Sequence, residues 1–162
     1  MCLASESAVP TPLVEITAFT ELSADARDPF AALVPERVPC APPAYVIEED
    51  QAGFATLEVR TDVCNFITLE QPSQVPVRRG DTLQLLMWHN TLASDQSAVA
   101  HAAVSLDGDV VWSTEVPIPS PAESYTPEWR SRRDVPAGSQ VLLHIDNHGA
   151  NAWRFGELTL QR

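Results

Sequence analysis

At 162 residues the chain is long enough to bury one good core and too short for two ordinary domains. Its formal net charge of -12 and pI near 4.5 speak against a nucleic-acid partner, whose affinity rests on clustered cations, and against an anionic membrane surface. Fourteen prolines spread along the chain leave little room for long helices, because each interior proline removes a backbone donor and clashes with the preceding turn.

Taken from the start, Cys2 follows the first residue and precedes a polar arm, the position of a lipid-anchored cysteine in a mature bacterial lipoprotein; the alternative is an ordinary small residue near a chain end. No stretch approaches the roughly 20 apolar residues of a membrane-spanning helix. Residues 1–40 mix prolines and acids with short apolar words and no sustained period, so they are expected to form an arm or linker. An edge strand is expected over 13–19 and one helical turn over 28–33. Val14, Ile16, Phe19, Phe30 and Leu33 make the arm too apolar for a pure spacer, and part of it is expected to pack on the domain that follows.

Residues 41–162 are expected to form that domain. Cys40 and Cys64 flank its start; a bridge between them would close a loop of moderate length and stabilise by about 3 kcal/mol, and would place the protein outside the reducing cytosol. The alternative is two buried thiols acting as small hydrophobes. From Tyr45 onward, β-like runs alternate with turn residues at regular intervals, near 45–48, 54–60, 65–69, 82–89, 97–106, 110–116, 128–134, 140–146 and 153–160. Eight or nine such strands predict an all-β fold, a two-sheet antiparallel β-sandwich of the jelly-roll kind.

Local chemistry sharpens this layout. Asp107-Gly108 between two alternating runs is a hairpin signal, since both residue types tolerate the positive φ of a type I′ turn. Pro117, Pro119, Pro121 and Pro127 predict a long exposed connection. In 98–106 and 140–146 one face is apolar and the other carries His101, His144 and Asp146, so both strands are expected to be half-buried. Leu83, Leu85, Leu86 and Met87 are apolar on both faces, which predicts a central strand covered on both sides.

All four histidines, His89, His101, His144 and His148, lie in the C-terminal half. Imidazoles converging from neighbouring strands would bind a transition metal, although the tight HxH and HExxH spacings are missing. The densest polar stretch is HIDNHGANAW at 144–153. Its asparagines and glycine suit a tight hairpin loop; the same groups suit hydrogen bonding to a polyhydroxylated ligand. Four tryptophans, Trp88, Trp112, Trp129 and Trp153, offer faces for a sugar ring. Trp129, after the proline-rich connection, is expected near a loop rim, and Trp88 and Trp112 in the core. The only tight basic group is Arg130, Arg132 and Arg133, read as a solvated patch or a local anion site. There is no GxSxG, P-loop or Gly-rich dinucleotide turn, and no carboxylate pair stands out for glycoside chemistry.

The last strands carry a resemblance. Residues 137–143 (AGSQVLL), the polar turn 147–151 and the aromatic-led run 153–160 resemble the final hairpin of carbohydrate-binding modules and related galactose-binding-like sandwiches. The resemblance implies a jelly roll and sets Asn151 where that family has a ligand-contacting asparagine; it assigns no aromatic platform.

The expected function is a non-catalytic extracytoplasmic binding module, secreted or envelope-attached, that contacts a glycan or surface protein through Trp129, His144, Asn147, His148, Asn151 and Trp153, with no cofactor. The alternatives are a structural or protein-interaction domain of a secreted assembly and a histidine metal site.

Overall fold

The computed structural model describes residues 9–22, 28–33, 40, 44–146 and 150–162. Through them run β1 (Thr11–Pro12), β2 (Thr20–Glu21), β3 (Tyr45–Glu49), β4 (Ala55–Arg60), β5 (Phe66–Pro72) and β6 (Thr82–His89). These are followed by β7 (Ala98–Leu106), β8 (Asp109–Ile118), β9 (Glu123–Tyr125), β10 (Glu128–Arg130), β11 (Gln140–Asp146) and β12 (Ala152–Gln161), and two 3-10 turns lie at Ile16–Ala18 and Ala31–Leu33. β1, β2 and β9, unmarked in the sequence, are two or three residues long, too short to display a period.

The strands form a two-sheet antiparallel β-sandwich. The seven-stranded sheet follows the order β10-β6-β12-β4-β3, with β1 against β12 and β9 against β6; the five-stranded sheet runs β2-β5-β11-β7-β8. Successive strands from β4 to β7, and again from β10 to β12, alternate between the sheets, the winding of a jelly roll. Leu57, Val59, Leu83, Leu85, Met87, Trp153 and Phe155 of one sheet face Leu69, Ala102, Val104, Leu143 and Ile145 of the other, all essentially without exposed surface. Each such aliphatic or aromatic side chain stabilises the fold by roughly 1.5–3 kcal/mol.

The arm is woven into both layers. β1 pairs with β12 and β2 with β5, while Leu13, Val14 and Phe19 enter the main core. The edge strand expected over 13–19 does not form. Instead the Gln71 side-chain amide takes both backbone groups of Glu15, accepting its N–H at 2.9 Å and donating to its carbonyl at 2.9 Å, and the chain turns through Ile16–Ala18. Leu22 and Phe30 lie over the outer face of the five-stranded sheet and join Phe66, Ala103 and Leu142 in a second small core. This cover buries Ala102 through Leu106 and Val141 through Asp146 on both faces, so β7 and β11 are not half-buried strands.

Strand β6 departs from expectation in the opposite sense. Leu83, Leu85 and Met87 are buried, but Leu86 and Trp88 point to the outer face and keep partial exposure, because no second layer covers that side. Trp88 and Leu86 shelter each other over Gly156: a Cβ there would stand 3.0 Å from Trp88 Cζ3 and 3.1 Å from Leu86 Cδ2. The proline-rich connection is also more ordered than its sequence suggests. Pro117 sits within β8, whose outer edge is unpaired, so its missing N–H removes no ladder bond. The Asp107-Gly108 turn has φ of 51° and 86°, the two positive values a type I′ hairpin requires.

Cys40 and Cys64 form a disulfide with Cα atoms 4.9 Å apart. It ties the end of the arm to the residues that launch β5. No described helix is long and apolar enough to cross a membrane. Cys2, the expected anchor position, lies outside the described residues.

Candidate functional site

The expected last hairpin does not form: β11 belongs to the five-stranded sheet and β12 to the seven-stranded one, so the chain between them crosses from one sheet to the other, and Trp153 and Asn151 face other ways than the sequence suggested. Trp153 is fully buried between the sheets, packed on His89 with ring centroids 4.6 Å apart, because its place in β12 has the inward parity of Phe155. It has no face to offer a ligand. Asn151 is half-buried and its amide is occupied: Oδ1 accepts the Ala93 N–H at 3.0 Å, and Nδ2 donates to the Ala93 carbonyl at 3.3 Å. Its own carbonyl accepts from the Thr61 N–H and hydroxyl. Asn151 therefore laces the 90–97 loop to the start of β12. Asn147 and His148 lie outside the described residues.

The histidines are divided by strand parity. His89 faces inward; its Nδ1 lies 2.7 Å from the Asn90 carbonyl and its Nε2 3.1 Å from the Tyr125 hydroxyl, which donates to Glu123 at 3.0 Å. Burial and then the Glu123 carboxylate push Tyr125 up to about 12. His101 and His144 instead share the outer face of the five-stranded sheet, 5.4 Å apart between centroids. No group of three metal-ligating side chains converges among the described residues.

His144 is completely buried under the arm, stacked on Phe30 with centroids 4.2 Å apart. Burial, and secondarily the neighbouring His101, lower it to about 3, against a backbone hydrogen bond at Ile67 that raises it. Its Nδ1 lies 3.0 Å from Thr68 Oγ1, and that hydroxyl donates to Asp28 Oδ2 at 3.0 Å. With the single hydroxyl proton directed to Asp28, Nδ1 carries a hydrogen and Nε2 bears a lone pair that meets no donor among the described residues. A base that activated Thr68 would have to accept from it; here the imidazole donates, and the chain of bonds pins the arm.

Trp129 is different. It lies on the inward side of β10, opposite Leu83, at the end of the sandwich remote from the start of β12, and remains partly exposed. There it lines an open cleft of about 1060 Å³ with Leu83, Leu106, Val110, Val111 and Val135 as its apolar part. Around these stand Arg79, Arg130, Arg132, Arg133 and Ser131. Backbone pairing fixes the rim: Gly80 N–H donates to the Ser131 carbonyl at 2.8 Å and Ser131 N–H to the Asp81 carbonyl at 2.9 Å. Gly80 has φ of 94°, which reserves the position for glycine. Val77 and Val135 exchange both backbone bonds below.

The rim charges are unequal. Arg133 is engaged with Asp107 at 2.6 Å and Asp109 at 3.0 Å, so it clamps the β7–β8 turn as one wall. Asp81 is paired with Arg162. The Asp134 carboxylate accepts the Arg79 backbone N–H at 2.8 Å. Among the described residues the guanidinium groups of Arg79, Arg130 and Arg132 have neither carboxylate nor side-chain hydrogen-bond partner. The sequence marks one half of this rim in the basic run 130–133; the other half, the Arg79-Gly80 turn, is joined to it by the β6–β10 pairing and the backbone bonds that continue it. A second, shallower cleft of about 780 Å³ runs along Ala93, Ser94, Asp95, Gln96 and Val99 beside Ala150.

No family model and no curated protein sequence matches the chain. Solved structures similar to it include a family 61 carbohydrate-binding module in complex with β-1,4-galactotriose, 15% identical over 74% of this chain and 82% of that one, with a TM-score of 0.43. Another is the C-terminal family 6 module of a marine laminarinase from Zobellia galactanivorans, 14% identical over 74% and 89%, TM-score 0.43. The N-terminal cellulose-binding domain of a β-1,4-glucanase from Cellulomonas fimi is 13% identical over 75% and 90%, TM-score 0.44. These three solved structures are carbohydrate-binding domains.

Proposed function

We propose that this protein is a non-catalytic glycan-binding module that works outside the cytoplasm, and that its ligand lies in the cleft at Trp129. The observation that carries this reading is the cleft itself: a partly exposed tryptophan at an apolar floor, beside Arg79, Arg130 and Arg132, whose guanidinium groups have no partner among the described residues. A pyranose ring presents an apolar face and a polar rim, and an aromatic plane beside planar guanidinium donors complements both. The Cys40–Cys64 disulfide supports an oxidising location. The loop at 147–153 is the weaker candidate, since Trp153 is buried and the Asn151 amide is engaged by Ala93.

Isothermal titration calorimetry against a panel of soluble neutral and acidic oligosaccharides tests the reading. Binding to at least one, weakened tenfold or more in Trp129→Ala with unchanged far-UV circular dichroism, is expected. Failure of every oligosaccharide to bind, or binding that ignores Trp129→Ala, overturns it.

A further inference from the structure

We infer that the ligand of the Trp129 cleft is an acidic glycan, one whose sugars carry carboxylate or sulfate groups; the inference rests on the cleft reading above and adds the chemical class of ligand. The protein bears a net charge of -12 and only ten basic residues, none of them lysine. Four of the ten line this one cleft. Three of those, Arg79, Arg130 and Arg132, keep their guanidinium groups free of carboxylates among the described residues, although acidic side chains outnumber basic ones more than twofold along the chain.

The local carboxylates are otherwise directed. Asp107 and Asp109 are held by Arg133 and Asp81 by Arg162, while Asp134 faces the backbone of Arg79. Glu128 flanks Arg130 on the same side of β10 and forms no ion pair with it. The three cations are thereby left without these carboxylates, and their residues line the cleft around an apolar floor. A guanidinium fork matches the two oxygens of a carboxylate or sulfate and forms shorter, stronger bonds with them than with a neutral hydroxyl. Trp129 supplies the surface for the ring that carries the anion.

The surrounding acidity limits the range of this attraction. At physiological salt the field of exposed charges fades over about 8 Å, so the arginines act at contact while the rest of the surface repels a polyanion. That combination selects short acidic stretches seated in the cleft and disfavours long uniformly charged polymers such as nucleic acid.

The test compares three oligosaccharides of equal length by calorimetry: a galacturonate oligomer, a neutral galactose oligomer and a sulfated galactose oligomer. At least one acidic oligomer is expected to bind tenfold or more tightly than the neutral one. Its advantage should vanish in the doubly substituted Arg130→Ala/Arg132→Ala protein and shrink in Arg79→Gln. These side chains carry no structural contact in the fold, so the variants should melt like the parent. Preference for the uronate or for the sulfated oligomer identifies which anion is read, and either supports the inference. Equal affinity for neutral and acidic oligomers, indifferent to the arginine substitutions but lost in Trp129→Ala, overturns the inference and leaves the cleft as a neutral-glycan site. Absence of binding by all three overturns the acidic-glycan inference, and the wider panel then decides the cleft reading separately.

Discussion

The imidazole of His144 lies almost parallel to the Phe30 ring, 4.2 Å between centroids with 13° between planes, and so joins the arm to the middle of the five-stranded sheet. Beneath this stack Asp28 and Thr68 connect the arm to the same imidazole. The groups facing it are Asp28 from the arm, Thr68 and Phe66 from β5, and His101 from β7, with Asp146 two residues along its own strand.

The stack predicts a pH-sensitive fold. His144 is held at about 3, far below its ordinary 6.5, by burial first and His101 second. The unfolded chain therefore binds a proton that the native state refuses. The stabilisation is whole above about pH 6.5 and is lost as the pH falls from there toward 3, by at most about 1.4 kcal/mol per pH unit. Urea midpoints measured between pH 7 and pH 4 should fall, and His144→Phe, which keeps an aromatic partner for Phe30, should flatten that slope. A variant as acid-sensitive as the parent would assign the slope to other groups.

Gly156 and Trp88 predict a coupled pair. A Cβ at Gly156 meets the indole at 3.0 Å, so Gly156→Ala should cost about 1–2 kcal/mol through displacement of packed side chains. In a Trp88→Ala background the same substitution should cost about 1 kcal/mol less. Chemical denaturation of the four proteins of this cycle gives the coupling directly, and a coupling of zero would contradict the contact.

Asn151→Ala should act on stability and not on ligand affinity. It removes both solvent-exposed hydrogen bonds to Ala93, at a cost of about 1 kcal/mol. Thermal melting reads the loss; calorimetry with a ligand that responds to Trp129→Ala should be unchanged. A loss of affinity without a loss of stability would return the site to the neighbourhood of Asn151.

The Cys40–Cys64 bridge spans 24 residues of sequence. Replacing both cysteines by serine should lower stability by about 3 kcal/mol in the chain-entropy model, visible as a lower urea midpoint. The same midpoint in reduced and oxidised parent protein would remove the bridge from the stability of the fold.

Much of the fold was legible because the positions of strands and turns along the chain are written in local chemistry. Period-two alternation marked β7 and β11, and the Asp107-Gly108 turn marked the hairpin that sets Leu106 opposite Asp109, since positive φ at two successive positions is a property of those residues themselves. Alternation says which side chains share a face. It does not say what lies over that face. His144 and Leu86 occupy comparable outward positions, yet Phe30 and Leu22 bury the first while the second stays half-open.

The candidate site divides in the same way. Sequence alone determined that the protein is acidic, built of strands and marked by an arginine run at 130–133, because composition and spacing are properties of the chain as written. Only the tertiary structure decided that Trp153 is core, that Asn151 laces two loops, and that Arg79 stands with Arg130 and Arg132 around Trp129. The physical reason is the pairing of β6 with β10: it brings together residues some fifty positions apart in the chain, and a contact of that span has no local signature.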